Sequence, residues 1–89
     1  MTQQVWKYPL YTANKQTVWM PKGATLLTIQ MQQDVPTLWA LVDPNEIEQT
    51  PQIINTVGTG QDTDAPGKYI GTYQRAEGVL VFHVFAATE

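Results

Sequence analysis

Turn-forming residues recur at short, regular intervals along this chain and cut it into runs too brief for helices. Asn14, Pro21-Lys22-Gly23, Asp34-Val35-Pro36, Asp43-Pro44-Asn45, Gly58-Thr59-Gly60, Pro66-Gly67 and Gly78 each punctuate an apolar or alternating segment. Glycine admits the left-handed backbone of tight turns, proline presets φ and lacks an N–H, and Asn and Asp bond to the backbone of a turn. Strands alternating in period two between such signals indicate a sheet protein, and helical periodicity is nowhere convincing. The expected class is all-β, with about seven short, mainly antiparallel strands in a small sandwich or barrel-like sheet, forming one domain over residues 1–89.

Residues 5–11 alternate Val, Lys and Pro against Trp, Tyr and Leu, and Pro9 cannot donate to a ladder, so an edge strand is predicted there. A second strand is predicted over residues 16–20. Residues 24–33 alternate with Leu27, Ile29 and Met31 on one face, Asp34-Val35-Pro36 breaks the run, and residues 37–42 form a nearly continuous apolar stretch suited to a central strand. Residues 46–52 read as an exposed connection and 52–57 as the next strand. Residues 61–67 hold no apolar anchor and make the longest candidate functional loop. Strands over 69–74 and 79–87 follow, joined by Arg75-Ala76-Glu77-Gly78, and Thr88-Glu89 is expected to fray. Leu27, Ile29, Leu38, Ala40, Val42, Ile54, Val81 and Val84 are the expected core.

Composition supports a folded domain, because 43% hydrophobic residues with three Trp, four Tyr and two Phe can fill a core. At 89 residues that core is single and its stabilisation limited, which favours self-association. No apolar run approaches the roughly 20 residues of a membrane helix, and the polar start Met1-Thr2-Gln3-Gln4 lacks the features of a signal peptide, so an intracellular, cytoplasmic protein is expected. A net charge of −3, with only Lys7, Lys15, Lys22, Lys68 and Arg75 as cations, argues against binding duplex nucleic acid.

The catalytic inventory is sparse. The chain has no cysteine and no serine, which removes disulfides, thiolate metal sites and the common nucleophiles together. His83 is the sole histidine and shares a strand face with Val79, Val81 and Phe85, a setting that favours a partly buried, hydrogen-bonded role over a catalytic or metal-ligating one. A triad of Thr59, His83 and Asp62 can be drawn, yet nothing nearby activates a threonine hydroxyl. Gly58-Thr59-Gly60, with Gln61 after it, could curl its N–H groups round an anion, or simply end a strand as a turn. Arg75 closes a strand that carries Tyr69 and Tyr73, and a guanidinium beside tyrosine rings suits anion or planar-ring recognition. Trp39 reads as structural, and Trp6 and Trp19 as interface residues. No enzyme, metal or cofactor is expected.

Several stretches together, Lys7-Tyr8-Pro9-Leu10, Met20-Pro21-Lys22-Gly23-Ala24, Leu38-Trp39-Ala40-Leu41-Val42-Asp43-Pro44, Gly58-Thr59-Gly60, Tyr69-Ile70-Gly71-Thr72-Tyr73 and Phe82-His83-Val84-Phe85, resemble in order and spacing a family of small phage and prophage proteins that carries a domain-of-unknown-function label. The resemblance spans nearly the whole chain. It implies a phage-encoded accessory protein acting in the host bacterial cytoplasm during infection, and a way of opposing host defence in which a homo-oligomer sequesters a small nucleotide-derived immune signal. In that family a histidine often follows the Gly-Thr-Gly; here Gln61 stands there, so the resemblance supplies no base or metal ligand in the turn. The expected ligand-binding residues are Gly58, Thr59, Gln61, Tyr73, Arg75 and His83. The rival expectation is a protein-binding inhibitor or structural phage component that uses residues 5–11 for strand addition.

Overall fold

The computed structural model describes residues 2–64 and 67–88; Ala65 and Pro66 of the expected 61–67 loop, and the terminal Glu89, lie outside them. Among the described residues seven strands form two antiparallel sheets: β1 Gln4–Pro9, β2 Lys15–Pro21, β3 Thr25–Gln32, β4 Val35–Val42, β5 Gln49–Gly58, β6 Lys68–Arg75 and β7 Leu80–Thr88. One sheet has the order β1-β4-β3 and the other β2-β5-β7-β6. The all-β expectation holds, and of its two forms the sandwich is the one adopted. The sheets do not close into a barrel, because β3 and β6 lie side by side without ladder pairing.

The apolar run expected to be central is central: β4 sits between β1 and β3, and β1 is the edge strand that its proline predicts. Inward positions of β4 supply Leu38, Ala40 and Val42, all fully buried, and they face Met20, Ile54, Tyr73 and Val84 of the other sheet. Burying each large aliphatic side chain contributes about 1.5–3 kcal/mol, so these few positions carry much of the stability of so small a domain. Tyr73 ties the layers further, its hydroxyl 3.0 Å from Thr12 Oγ1.

Local irregularities overturn four sequence expectations. The β3–β4 register shifts between Leu26 and Thr28. This bulge reverses the parity of the strand, so Leu26 packs against the core while Leu27 is 46% exposed. The hairpin after β3 turns on Gln33 and Asp34, both at positive φ (48° and 67°), which releases Val35 and Pro36 into β4 instead of the turn. A two-residue loop with both φ values positive matches the strand twist best. Strand β5 starts at Gln49, so half of the expected connection is ladder. Finally, Val81 points away from the core, since it stands an odd number of residues from the buried Val84. No helix among the described residues is long and apolar enough to cross a membrane.

Candidate functional site

The outward face of the four-stranded sheet carries the histidine. Register places Lys15, Asn55, Phe85 and Tyr69 in one row across β2, β5, β7 and β6, and Val57, His83 and Thr72 in the next. A second bulge makes this arrangement possible. Pairing of β6 with β7 shifts between Tyr69 and Gly71, with Ile70 as the extra residue, so Tyr69 points outward and Tyr73 inward.

Gly58-Thr59-Gly60-Gln61 forms the turn that delivers Thr59 to His83. Gly60 adopts φ 89°, the Gln61 N–H donates to the Gly58 carbonyl (3.0 Å), and Gln61 Oε1 accepts from the Gly58 N–H (2.6 Å). The Thr59 N–H donates to the Val81 carbonyl (3.1 Å), clamping the turn to β7. Three backbone donors of the turn are thus used internally, which suits a strand-ending turn and leaves little for an anion.

The clamp sets Thr59 Oγ1 2.7 Å from His83 Nε2. On the other side of the ring, Thr72 Oγ1 lies 3.0 Å from Nδ1, and Tyr69 Oη lies 2.5 Å from Thr72 Oγ1. The Tyr69 ring meets Phe85 edge-on, centroids 5.7 Å apart at 61°, a favoured aromatic geometry. Four side chains from β5's turn, β7 and β6 therefore form one continuous hydrogen-bonded chain ending at a half-exposed tyrosine.

Of the sequence-derived site residues, Gly58, Thr59, Gln61 and His83 come together here. Tyr73 and Arg75 stand apart. Tyr73 is buried on the core side against Phe82, and Arg75 reaches the Asp34 carbonyl (3.4 Å) beside an open cleft of about 360 Å³ lined by Leu10, Thr12 and Pro36. The register of the β6–β7 hairpin is the cause: it sets Thr72 opposite His83 and Tyr73 opposite Phe82, and the Ile70 bulge then turns Tyr69 to the face of the histidine. The imagined triad is half present: Thr59 meets His83, but Nδ1 faces the neutral Thr72 and not Asp62. A threonine cannot stabilise an imidazolium as a triad carboxylate does. Asp62 and Asp64 instead border a polar cleft of about 370 Å³ with Lys15, Asn55 and Thr56. Among the described residues no three metal-ligating side chains cluster.

Sequence reasoning missed Thr72 and the role of Tyr69. The only signal for either is their register opposite His83 and Phe85, and a bulge one residue away hides it. Trp19 is 59% exposed on the same outward face.

Comparisons with curated proteins and with solved structures return no match. The model of one family, described as domain of unknown function DUF7352, matches residues 1–89, and the chain belongs to that family.

Proposed function

We propose that this chain is a non-catalytic binding domain whose working surface is the outward face of the β2-β5-β7-β6 sheet, and that its ligand is a small nucleotide-derived molecule. The observation that carries the reading is the Tyr69 ring, held by Phe85 at its edge and Thr72 at its hydroxyl, beside His83 and Thr59. A fixed, half-exposed ring next to directed polar groups suits a planar base, which stacks on aromatics and hydrogen-bonds through its edge. Lys15, in the same row as Tyr69, is a cation within that face for a phosphate.

One copy offers an open platform, whereas small-ligand sites are concave and bury most of the ligand. A second copy packed over the face would complete the pocket, which supports a homo-oligomer. The resemblance to phage proteins supports the setting, sequestration of a host immune signal in an infected bacterium. The test is to mix the purified protein with a panel of nucleotide signals, remove free ligand, heat-denature the protein and weigh what is released. Intact ligand is expected from the wild type and none from Tyr69→Ala. Release of an altered ligand would end the non-catalytic reading, and no ligand from any signal would end the nucleotide reading.

A second reading rests on β1, which pairs on one side only and leaves Val5 and Trp6 56% and 37% exposed. An unpaired apolar edge is a template for a partner's strand. One stoichiometric protein captured from bacterial lysate, and lost with Val5→Lys, would favour it.

A further inference from the structure

We infer that the Tyr69–Thr72–His83–Thr59 chain runs in one direction and leaves the Tyr69 oxygen as a hydrogen-bond acceptor at the surface, so that the site selects a planar ligand carrying an N–H donor. This inference concerns the ligand class and rests on the binding role proposed above; the direction of the chain stands on its own.

Each hydroxyl has one proton to give, so the directions are coupled. Thr59 Oγ1 directs its proton to the Val81 carbonyl (3.5 Å), and its oxygen lies 2.7 Å from His83 Nε2. Nε2 must then be the donor. A neutral imidazole with its proton on Nε2 has a lone pair on Nδ1, and Thr72 Oγ1, 3.0 Å away, donates into it. With that proton committed, Thr72 accepts from Tyr69 across 2.5 Å.

The Val81 bond is long and weak alone, and the other end of the chain favours the same direction independently. A phenol is a far stronger acid than an alkyl hydroxyl, so in so short a contact the phenol is the favoured donor. The reverse direction would have Thr72 donate to the phenol and Thr59 give up Val81. Because a group that donates becomes a better acceptor, the Tyr69 oxygen at the open end is a strengthened acceptor with no proton left to offer. Tyr69 is 54% exposed, so an incoming group can reach that oxygen.

Two measurements on the full chain test this. The chain holds a single histidine, so ¹⁵N NMR reads its ring nitrogens without ambiguity; for the neutral ring, the proton is expected on Nε2 with Nδ1 bare. A proton on Nδ1, or an even mixture, overturns the direction. Calorimetry with adenosine and N6,N6-dimethyladenosine, which differ in the donor, is expected to favour adenosine about fivefold, the scale of one net hydrogen bond, with the preference abolished in Tyr69→Phe. Equal binding of both by the wild type, or a preference that survives Tyr69→Phe, overturns the acceptor assignment. Binding of neither overturns the ligand class inferred here, while the panel of nucleotide signals still tests the nucleotide reading and the imidazole tautomer the direction of the chain.

Discussion

Gly71 and Ile29 touch where the two sheets meet without pairing: a Cβ on Gly71 would stand 2.6 Å from Ile29 Cγ2. The contact joins β6 to β3, strands of different sheets that approach each other closely. Ile29 is 2% exposed and β-branched, so its methyl has little room to withdraw. Gly71→Ala is therefore expected to destabilise the domain by about 1–3 kcal/mol, the usual cost of overpacking. In a double-mutant cycle by urea unfolding, Gly71→Ala with Ile29→Ala should cost clearly less than the sum of the two singles; additive costs would mean that this contact is not the constraint.

Leu27 and Leu38 look alike in sequence and should behave oppositely. Leu38 is fully buried, so Leu38→Ala is expected to cost about 2–5 kcal/mol through lost transfer energy and a cavity. Leu27 is turned outward by the β3 bulge, and Leu27→Ser is expected to change stability by less than about 1 kcal/mol. Chemical denaturation of both variants checks this, and comparable losses would place Leu27 in the core.

Thr56 carries a buried hydroxyl with no hydrogen-bond partner among the described residues. It lies opposite Val84, and its backbone N–H donates to the Asn14 carbonyl at 3.0 Å. Removing an unsatisfied buried polar atom while keeping the side-chain shape removes its desolvation cost. Thr56→Val is expected to be neutral or to stabilise by up to about 1–3 kcal/mol, read as an unchanged or raised midpoint of thermal unfolding. A lowered midpoint would show that the hydroxyl is satisfied in solution.

Burial raises the Tyr8 hydroxyl above its ordinary value of 10.0. The sign follows from proton linkage: the folded state holds this proton more tightly than the unfolded one, so its contribution is complete below pH 10.0 and is lost as pH rises through the higher folded value. Urea unfolding from neutral to strongly alkaline pH should show a shallower decline above pH 10.0 in Tyr8→Phe than in the wild type. Identical declines would mean that the Tyr8 environment imposes no such shift.

The class of fold was legible because it depends on local chemistry. Turn residues and period-two runs constrain φ, ψ and the facing of side chains within a few residues, which is why the edge strand at Pro9, the central strand through Leu38–Ala40–Val42 and the turn at residues 58–61 could all be read from the chain. Tertiary structure decided much of the rest, in part through two bulges, at Leu27 and Ile70. One extra residue inverts every side chain beyond it, and only the pairing partner determines where that residue falls. The β6–β7 hairpin register turned Tyr73 inward to Thr12, and the bulge at Ile70 turned Tyr69 outward to Thr72 and His83. The separation of Arg75 from the histidine was thus set by strand pairing, which no single strand encodes.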